Sequence, residues 1–214
     1  MGTEIERKFL IDPTKVPLAH EPGRLLKQGY LSKNPCVRVR IRYTGPSLAA
    51  AAWITVKGSG LITRAEFEYN IPPDDSEQLL QMCQGVVEKT RFGIWHLGNW
   101  KWDVDRFEGD LAGNWLAEIE LNRPDEPFTM PEWVTKEVTD DPRYQNLAIS
   151  ELGFPSESNR WPEIRKTSES RIFPRETWVL ETRRGIVGTF IHEDEAKLER
   201  SKLLHSLGVP QALV

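Results

Sequence analysis

Charged side chains at every second position are the feature of this chain with the most chemical content. They occur in seven short segments of the first 120 residues, and the positions between them are mostly apolar. In chain order the charged positions are Glu4, Glu6 and Lys8; Arg38, Arg40 and Arg42; Lys57; Glu66 and Glu68; Lys89 and Arg91; Asp103 and Asp105; and Glu118 and Glu120. Residues two apart lie on the same face of a β-strand, so each group shares one face.

The signs of these charges are segregated between segments. Four segments carry acid pairs and three carry basic residues, whereas a solvated face usually mixes the two signs because like neighbours repel. Adjacent carboxylates suit a divalent cation, since hard cations take oxygen ligands. Lysine and arginine suit phosphate oxygens. The combination predicts a site for a metal-bound polyphosphate. For any single strand, the alternative is the outward face of an ordinary antiparallel sheet.

The alternating segments predict the strands that position these residues. They cover residues 3–11, 26–32, 36–44, 50–58, 63–71, 87–96, 100–107 and 115–122. Eight strands with short connections favour an antiparallel barrel or sandwich. If the charged face lines a closed barrel, its interior is a water-filled tunnel, because burying unpaired ions costs several kcal/mol each. The apolar face then lies outside, covered by helices or by a partner. We therefore predict an α+β fold, an eight-stranded antiparallel closed β-barrel with a charged interior and a few flanking helices.

The connection between the sixth and seventh strands tests this arrangement locally. A two-residue turn would place Arg91 and Asp105 on opposite faces, because it would pair odd positions with even ones. A three-residue loop, Leu97 to Asn99, sets Arg91 directly across from Asp105. We predict the three-residue loop or an equivalent bulge.

Two helices are predicted besides the strands. The first covers residues 73–83, with Asp74 or Asp75 as its N-cap. The second falls within residues 139–153, where an Asp-Pro step supplies the start and Gly153 the stop. The apolar residues of the first helix are expected on one side: Leu79, Leu80 and Met82.

The last sixty residues differ in pattern from the strands before them. Residues 156–170 are polar and predict a linker. A hairpin turning at Arg184-Gly185 and a short amphipathic helix from Glu193 follow. We therefore divide the chain into a tunnel domain, 1–153, and a C-terminal extension of unknown role, 154–214.

Composition excludes several classes of protein. Lys and Arg total 28 against 32 Asp and Glu, a net charge of -4, so no broad basic surface for nucleic acid is expected. Cys36 and Cys83 lie far apart without zinc-ligand spacing, which supports neither a disulfide framework nor a thiolate metal site. The N-terminus is charged at once and no apolar run approaches about 18 residues. We expect a cytoplasmic protein that is neither exported nor membrane-spanning.

The order of these segments resembles the CYTH, or triphosphate tunnel metalloenzyme, family. The family's E-x-E-x-K start stands here as Glu4, Glu6 and Lys8, followed in order by "VRVRIR", "TVKG", "EFEY", "EKTR", "WDVDRFEG", "AEIEL" and "VTDDPRY". The similarity covers about residues 2–153. It implies an eight-stranded antiparallel tunnel that hydrolyses or cyclises organic or inorganic triphosphates with Mg²⁺ or Mn²⁺.

The resemblance also implies roles for individual residues. The metal-binding acids are Glu4, Glu6, Asp105, Glu118 and Glu120. The residues that match the triphosphate-holding bases are Arg38, Arg40, Lys57, Lys89 and Arg91, and Glu66 and Glu68 fall on the family's middle acidic strand. Apart from the resemblance, we expect Arg143 to reach into the tunnel from the closing helix and to contact the substrate. Lys8 either contacts the phosphate or leaving group or forms a salt bridge with Glu6. The catalytic set is Lys8, Glu6, Asp105 and Glu120.

The expected activity is metal-dependent hydrolysis of inorganic triphosphate to pyrophosphate and phosphate. One cation would bridge Glu4, Glu6 and a glutamate of "AEIEL" to the substrate. A second, roughly 4 Å away on Asp105 and the other glutamate, would lower the pKa of an attacking water. Alternatives within the family are a nucleoside or thiamine triphosphatase and a class IV-type adenylate cyclase, and an alternative of another class is a non-catalytic polyphosphate-binding module. A barrel exterior that two helices cover incompletely favours a homodimer.

Overall fold

Eight long antiparallel strands form one sheet that closes on itself. The computed structural model describes residues 2–18, 22–44, 48–83, 85–155, 163–167, 177–182, 185–190 and 192–209. Its barrel strands are β1 (Gly2–Ile11), β2 (Arg24–Lys33), β3 (Cys36–Thr44), β4 (Leu48–Lys57), β5 (Thr63–Ile71), β6 (Val86–His96), β7 (Trp100–Phe107) and β8 (Trp115–Glu120). They run in the order β5-β4-β3-β2-β6-β7-β8-β1, and β1 pairs again with β5. The predicted closed barrel of eight strands is confirmed.

A short ninth strand was not predicted from the sequence. β9 (Val134–Glu137) pairs with the C-terminal part of β1, where Phe9 lies opposite Glu137. β1 therefore pairs with three different strands along its length, β5, β8 and β9. This pairing covers the end of β1 that extends beyond its partner in the barrel.

The connection between β6 and β7 has the predicted length. Leu97 to Asn99 form the turn, His96 pairs with Trp100, and Arg91 lies opposite Asp105. Leu97 (φ 51°) and Gly98 (φ 71°) both have positive φ, which gives the tight reversal its left-handed backbone. The register that brings acids and bases onto one face is thus confirmed.

The apolar face of the barrel lies outside and is covered in two places. Helix α1 (Pro73–Met82) packs its Leu80 on Val39 and Ile41 of β3 and Ala52 of β4. On the other side, Phe9 and Trp102 pack under the segment 121–133, which is not a helix. The rings of Phe128 and Trp133 in that segment lie 5.8 and 5.3 Å from the ring of Trp102. The predicted covering by helices is therefore correct for only one of these faces.

The start of α1 differs from the prediction. Pro72 is the N-cap, and Asp74 and Asp75 lie within the first turn without capping it. A proline at the first helical position fixes φ for the helix and has no N–H to satisfy, so the helix begins two residues earlier than an Asp74 cap would allow. Met82 is 71% exposed and does not share the buried side with Leu80.

The end of the barrel is closed by the predicted second helix, in two pieces. A 3₁₀ turn, Pro142–Tyr144, is capped by Asp141, and helix α2 (Asn146–Leu152) follows and ends at Gly153. Ile149 of α2 packs on Val87, Phe107 and Leu116, which lie on the same strand faces as the charged residues. The interior of the barrel at the α2 end is therefore filled by an apolar plug, which these four residues form. Helix α2 closes this end of the barrel and does not cover its exterior.

The C-terminal extension forms a second, small sheet with a helix. β10 (Glu163–Thr167), β11 (Thr177–Thr182) and β12 (Gly185–Phe190) are antiparallel, and helix α3 (Glu193–Ser206) follows. The predicted linker is wrong for residues 163–167, which form β10, and its other residues lie outside the described part of the chain. The hairpin is confirmed by the pairing of Thr182 with Gly185.

No helix in the described ranges is long and apolar enough to cross a membrane. The boundary after residue 153 stays a prediction. It separates the barrel with α2 from the three-stranded sheet with α3.

The packing of α1 gives a stability prediction. Leu80→Ala removes a buried side chain between α1 and two barrel strands, and we expect a loss of about 2 to 4 kcal/mol in the free energy of unfolding. Met82→Ala on the same helix is the matched control, with an expected change below about 0.5 kcal/mol because its side chain is exposed. Urea titrations of both variants check this. Equal losses would show that α1 does not cover the barrel as described.

Candidate active site

The charged residues that alternate in the sequence meet inside the barrel around a cavity of about 1710 Å³. Lys57 on β4 and the acids of β1, β5 and β8 face the same space as the arginines of β3 and β6, because strand parity turns all of them inward. The predicted residues that line it are Glu4, Glu6, Arg38, Arg40, Lys57, Glu66, Glu68, Lys89, Arg91, Asp103, Glu118 and Glu120. Arg42 of the alternating set and three predicted site residues, Lys8, Asp105 and Arg143, do not line it.

Arg38, Arg40 and Lys57 form a crowded basic wall. Arg38 donates to Thr55 Oγ1 (3.0 Å) and Arg40 to Glu68 Oε2 (2.8 Å). Burial, together with the charge of Arg38, lowers the pKa of Arg40 to about 10 and also lowers the pKa of Lys57. The Nε atoms of Arg38 and Arg40 are buried and have no hydrogen-bond partner among the described residues. An anion beside this wall would relieve both the cation repulsion and the unmet donors.

A second basic pair lies deeper. Lys89 is 1% exposed and donates to Asp105 Oδ2 (2.5 Å), and Arg91 holds both oxygens of Asp105 at 2.7 Å. Arg91 also reaches Asp103 (2.9 Å) and Glu118 (2.6 Å). Burial lowers the pKa of Lys89 even though Asp105 opposes that effect. Asp105 therefore fixes the direction of both basic groups from behind.

The acidic wall contains like charges in direct opposition. Glu6 lies across from Glu120 on neighbouring strands, and Glu118 across from Asp103. Such pairs destabilise a sheet unless a cation separates them. Unlike Glu6, Glu120 forms no salt bridge within the described residues. Burial, followed by the charges of Glu4, Glu66, Glu6 and Asp103, raises its pKa.

Arg64 is a functional residue that the sequence analysis missed. It lies on β5 at the same parity as Glu66 and contacts Glu4 (2.7 Å), Glu6 (2.5 Å) and the amide oxygen of Gln145 (3.3 Å). Burial opposes its charge, but Glu6 and Glu4 outweigh that effect and raise its pKa. The signal was available, since Arg64 stands two positions before Glu66 in the alternation. Arg64 thus places a positive charge on β5, where the predicted site residues, Glu66 and Glu68, are both acidic.

Lys8 takes the second of the two roles considered for it. Its Nζ lies between Glu6 (2.9 Å) and Glu118, and the side chain is 2% exposed. Burial opposes its charge, but Glu118 and Glu6 raise its pKa above the ordinary value. Burial also opposes the charge of Glu118, yet Lys8 and Arg91 hold its pKa well below the ordinary value. Lys8 thus orients two acids of the wall and does not face the cavity.

Two curated proteins are similar to this chain over nearly their whole length. An inorganic triphosphatase of Acetivibrio thermocellus is 38% identical over 151 residues, 68% of this chain and 92% of the relative. An inorganic triphosphatase of Nitrosomonas europaea is 34% identical over 157 residues, 72% of this chain and 99% of the relative. The chain belongs to the CYTH, or triphosphate tunnel metalloenzyme, family.

A solved structure agrees with this assignment. A crystal structure of an inorganic triphosphatase superposes with a TM-score of 0.51 at 32% identity, covering 70% of this chain and 95% of that chain. No protein-family profile matches the chain. The barrel and its charged interior are thus the triphosphate tunnel of the family.

Two of the predicted site residues are held by other side chains of the protein. Asp105 is fully buried behind Lys89 and Arg91, and it shares Arg91 Nη2 with Glu118. Arg143 lies in the 3₁₀ turn and holds Asp141 with its guanidinium (2.6 to 3.0 Å), because a side chain two residues away is closer than the tunnel. Neither side chain lines the cavity.

The donor set of the acidic wall fits a hard divalent cation. All of its acids offer carboxylate oxygens, and Glu120 has both an unpaired charge and like neighbours. Within the described ranges, no three Asp, Glu, His or Cys side chains are already gathered around one point. Lys57 forms a salt bridge with Glu4 (2.7 Å) and Arg64 forms one with Glu6 (2.5 Å), so these bases supply the positive charge beside the two acids. The wall therefore has the right chemistry for a cation but is arranged around the protein's own bases.

The deep ion pairs give a stability prediction. Asp105→Asn leaves Lys89 and Arg91 without their buried counter-charge, and we expect a loss of about 3 to 5 kcal/mol in the free energy of unfolding. Asp103→Asn is the matched control, with an expected loss of about 0 to 1 kcal/mol because Asp103 is partly exposed. Guanidinium titrations without metal check both. A stable Asp105→Asn protein that has lost only cation affinity would make Asp105 a metal ligand instead.

Glu120 gives a prediction about pH. Its pKa is raised above the ordinary 4.5, so the folded state binds more protons than the unfolded state just above that pH. Its contribution to stability therefore falls as the pH rises from 4.5 through the raised value. We expect Glu120→Gln to be more heat-stable than the wild type at neutral pH in EDTA, with the gain vanishing below pH 4.5. The exposed Glu132→Gln is the control, and a pH-independent gain would contradict the assignment.

Proposed function

We propose that the protein is a metal-dependent inorganic triphosphatase that hydrolyses tripolyphosphate to pyrophosphate and phosphate. The observation that carries the proposal is the pair of walls in one cavity. One wall has mutually repelling bases, Arg38 and Arg40, whose buried Nε donors have no partner among the described residues, and the other has mutually repelling acids around Glu120. A polyanion satisfies the first wall and a divalent cation the second, so a metal triphosphate suits both together. The inorganic triphosphatase relatives support the same substrate.

The basic residues bind and straighten the polyanion. Arg38, Arg40 and Lys57 line one side of the cavity, and Arg91 approaches from β6 with its orientation fixed by Asp105. Phosphoryl transfer demands little covalent chemistry of a protein, so positioning and charge neutralisation carry most of the catalysis. No side chain needs to act as nucleophile, and water is the attacking group. Arg64 and the side-chain amide of Gln145 extend the polar lining at the end closed by α2.

The metal ligands we propose are Glu4, Glu6, Glu118 and Glu120. They would bind two ions of Mg²⁺ or Mn²⁺. A bound divalent cation supplies charge neutralisation of the phosphates and a water of lowered pKa. Lys8 holds Glu6 and Glu118 in place from behind. Glu66 and Glu68 orient Arg38, at 3.5 and 3.7 Å, and Glu68 also orients Arg40. Asp105 and Arg143 leave the set of residues that contact substrate or metal.

A nucleoside triphosphate is a second candidate substrate, favoured by aromatic rings at the cavity. Tyr69 and Trp95 line it and are 59% and 60% exposed, and Trp100 lines it as well. Exposed rings of this kind can stack on a base. Thiamine triphosphate would use the same rings, and adenylate cyclase chemistry would replace water by a ribose hydroxyl.

A substrate panel tests the proposal. Tripolyphosphate, ATP, thiamine triphosphate and longer polyphosphate are incubated with Mg²⁺, Mn²⁺ or Ca²⁺, and products are separated by ion chromatography. We expect one pyrophosphate and one phosphate per tripolyphosphate, no cyclic AMP from ATP, and no turnover in EDTA. Glu6→Ala and Arg38→Ala should each lower kcat/KM by about 100- to 1,000-fold, because each removes a preorganised charge.

The control for these variants is Arg106→Ala, an exposed arginine paired with Glu108 outside the cavity, which should keep wild-type kcat/KM. Tripolyphosphate binding without any metal-stimulated phosphate release would instead make the protein a binding module. Faster turnover of ATP than of tripolyphosphate would favour the second candidate. The homodimer and the cytoplasmic location stay predictions, and light scattering of the purified protein measures the oligomeric state.

A further inference from the structure

The start of α2 brings two amide side chains into the tunnel. Gln145 Oε1 accepts from Arg64 Nη1 (3.3 Å), and Asn146 Oδ1 accepts from Lys89 Nζ (3.4 Å). Both residues line the cavity. The Nε2 atom of Gln145 is buried and donates to no group in the described part of the chain. A buried donor of this kind beside a guanidinium is suited to an anionic oxygen.

Helix α2 is too short to hold these amides by itself. It has seven residues, and helices of that length gain their stability from tertiary packing. Ile149 anchors it to the barrel plug, and Glu151 forms a salt bridge with Lys33 of β2 (3.6 Å). Its remaining apolar side chains, Leu147 and Leu152, pack on residues near the end of α3.

The end of α3 is shaped for this contact. Gly208 (φ 75°) follows the helix, the N–H of Val209 donates to Leu204 O (2.9 Å), and the N–H of Gly208 donates to His205 O (3.0 Å). These two bonds form a Schellman motif, in which the residue after the glycine packs back on the helix. Leu204, Leu207 and Val209 are buried as a result, in one cluster with Leu147 and Leu152.

The same turn borders the tunnel cavity itself. Its lining residues include Lys202, His205 and Leu207, next to Gln145 and Leu147. The two curated relatives match 68% and 72% of this chain and 92% and 99% of their own length, so the matched part is about as long as the barrel with α2. The contact between α3 and α2 is therefore expected to be a property of this chain, supplied by its C-terminal extension.

We propose that Gln145 is an additional substrate contact and that α3 is its positioning element, with Leu207 and Leu204 holding α2 so that Gln145 meets the triphosphate beside Arg64. This inference rests on the proposed function for its ligand. The extension then forms one wall of the active site. Its effect on affinity passes through packing, since Leu204 and Leu207 lie in one apolar cluster with Leu147 and Leu152 of α2.

A double-mutant cycle tests this in the full-length protein. Gln145→Leu, Leu207→Ala and the double variant are compared by KM and kcat for tripolyphosphate, and by Kd for tripolyphosphate from calorimetry in EDTA. Each single variant should raise KM and Kd about tenfold, as expected for one buried hydrogen bond. The double variant should be no worse than Gln145→Leu, because both changes remove the same contact. Leu207→Met nearly conserves the volume of the side chain and should therefore keep the wild-type KM, kcat and Kd.

Leu198→Ala is the matched control, because Leu198 lies on α3 and is 58% exposed. It should leave KM, Kd and kcat unchanged. Hydrogen exchange measures the coupling without substrate: Leu207→Ala should speed exchange of the amides of residues 146–152, and Leu198→Ala should not. If Leu207→Ala does not fold, Leu204→Ala replaces it.

The outcomes separate this inference from the proposed function. Additive effects in the double variant, or an unchanged Kd in Leu207→Ala despite faster exchange in α2, would overturn the inference while the triphosphatase proposal stands. A wild-type protein that neither binds nor hydrolyses tripolyphosphate would overturn the proposed function and with it the role of Gln145. Faster exchange in α2 in that case would still confirm that α3 positions α2.

Discussion

Every ion taken out of water inside this barrel needs a counter-charge, and this constraint organises the molecule. An unpaired buried ion costs several kcal/mol, yet Lys8, Lys89 and Asp105 are at most 1% exposed. They are tolerated because each lies in a chain of opposite charges across neighbouring strands. Lys8 joins two glutamates, and Asp105 joins Lys89 to Arg91. These deep groups are permanent pairs, and they hold the shallower groups in fixed directions.

The charged groups nearer the cavity are less completely paired with counter-charges. Lys57 and Arg64 pair with Glu4 and Glu6, so the two walls partly neutralise one another. Within the part of the chain that the structure describes, the imbalance that is left includes the free Nε donors of Arg38 and Arg40 on β3 and the carboxylate of Glu120, which forms no salt bridge. A ligand that carries both signs can satisfy both walls at once. A bare anion or a bare cation satisfies only one of them, so affinity for a metal triphosphate should exceed what either part provides alone.

The inside-out barrel explains how much of the fold could be predicted from the sequence. Period-2 alternation identifies the barrel strands because seven of the eight have charged residues on the inward face and mostly apolar residues on the other. In β2 the inward residues are Leu26, Gln28 and Tyr30. Even the length of the loop after His96 followed from the register. Depth along the tunnel is not encoded in that period. Asp105 and Glu120 both carry a carboxylate on the inward face of their strand, but Asp105 is fully buried behind two bases and Glu120 lines the cavity. Parity predicted that both point inward and could not tell which would meet a ligand.

Other misses have local causes. Arg64 was not predicted because the inward face of β5 was recognised from its acid pair, Glu66 and Glu68, and Arg64 lies on the same face two positions earlier. Arg143 was expected to reach the tunnel, but the 3₁₀ turn gives it a carboxylate two residues away. The strand at residues 163–167 is polar and short, and its pairing with β11 depends on a partner distant in sequence. Long-range pairing of this kind leaves little trace in a single polar segment.

The two functions of the interior, stability and binding, act against each other at Glu120. Burial and the charges of Glu4, Glu66, Glu6 and Asp103 raise its pKa, so ionising this carboxyl group weakens the folded state. A more stable tunnel could be built with a neutral side chain at this position, since the other acids already have partners. Within the described residues, Glu120 is a carboxylate without a salt bridge beside acids that have one, so a cation from solution would relieve the repulsion between like charges at this point of the tunnel.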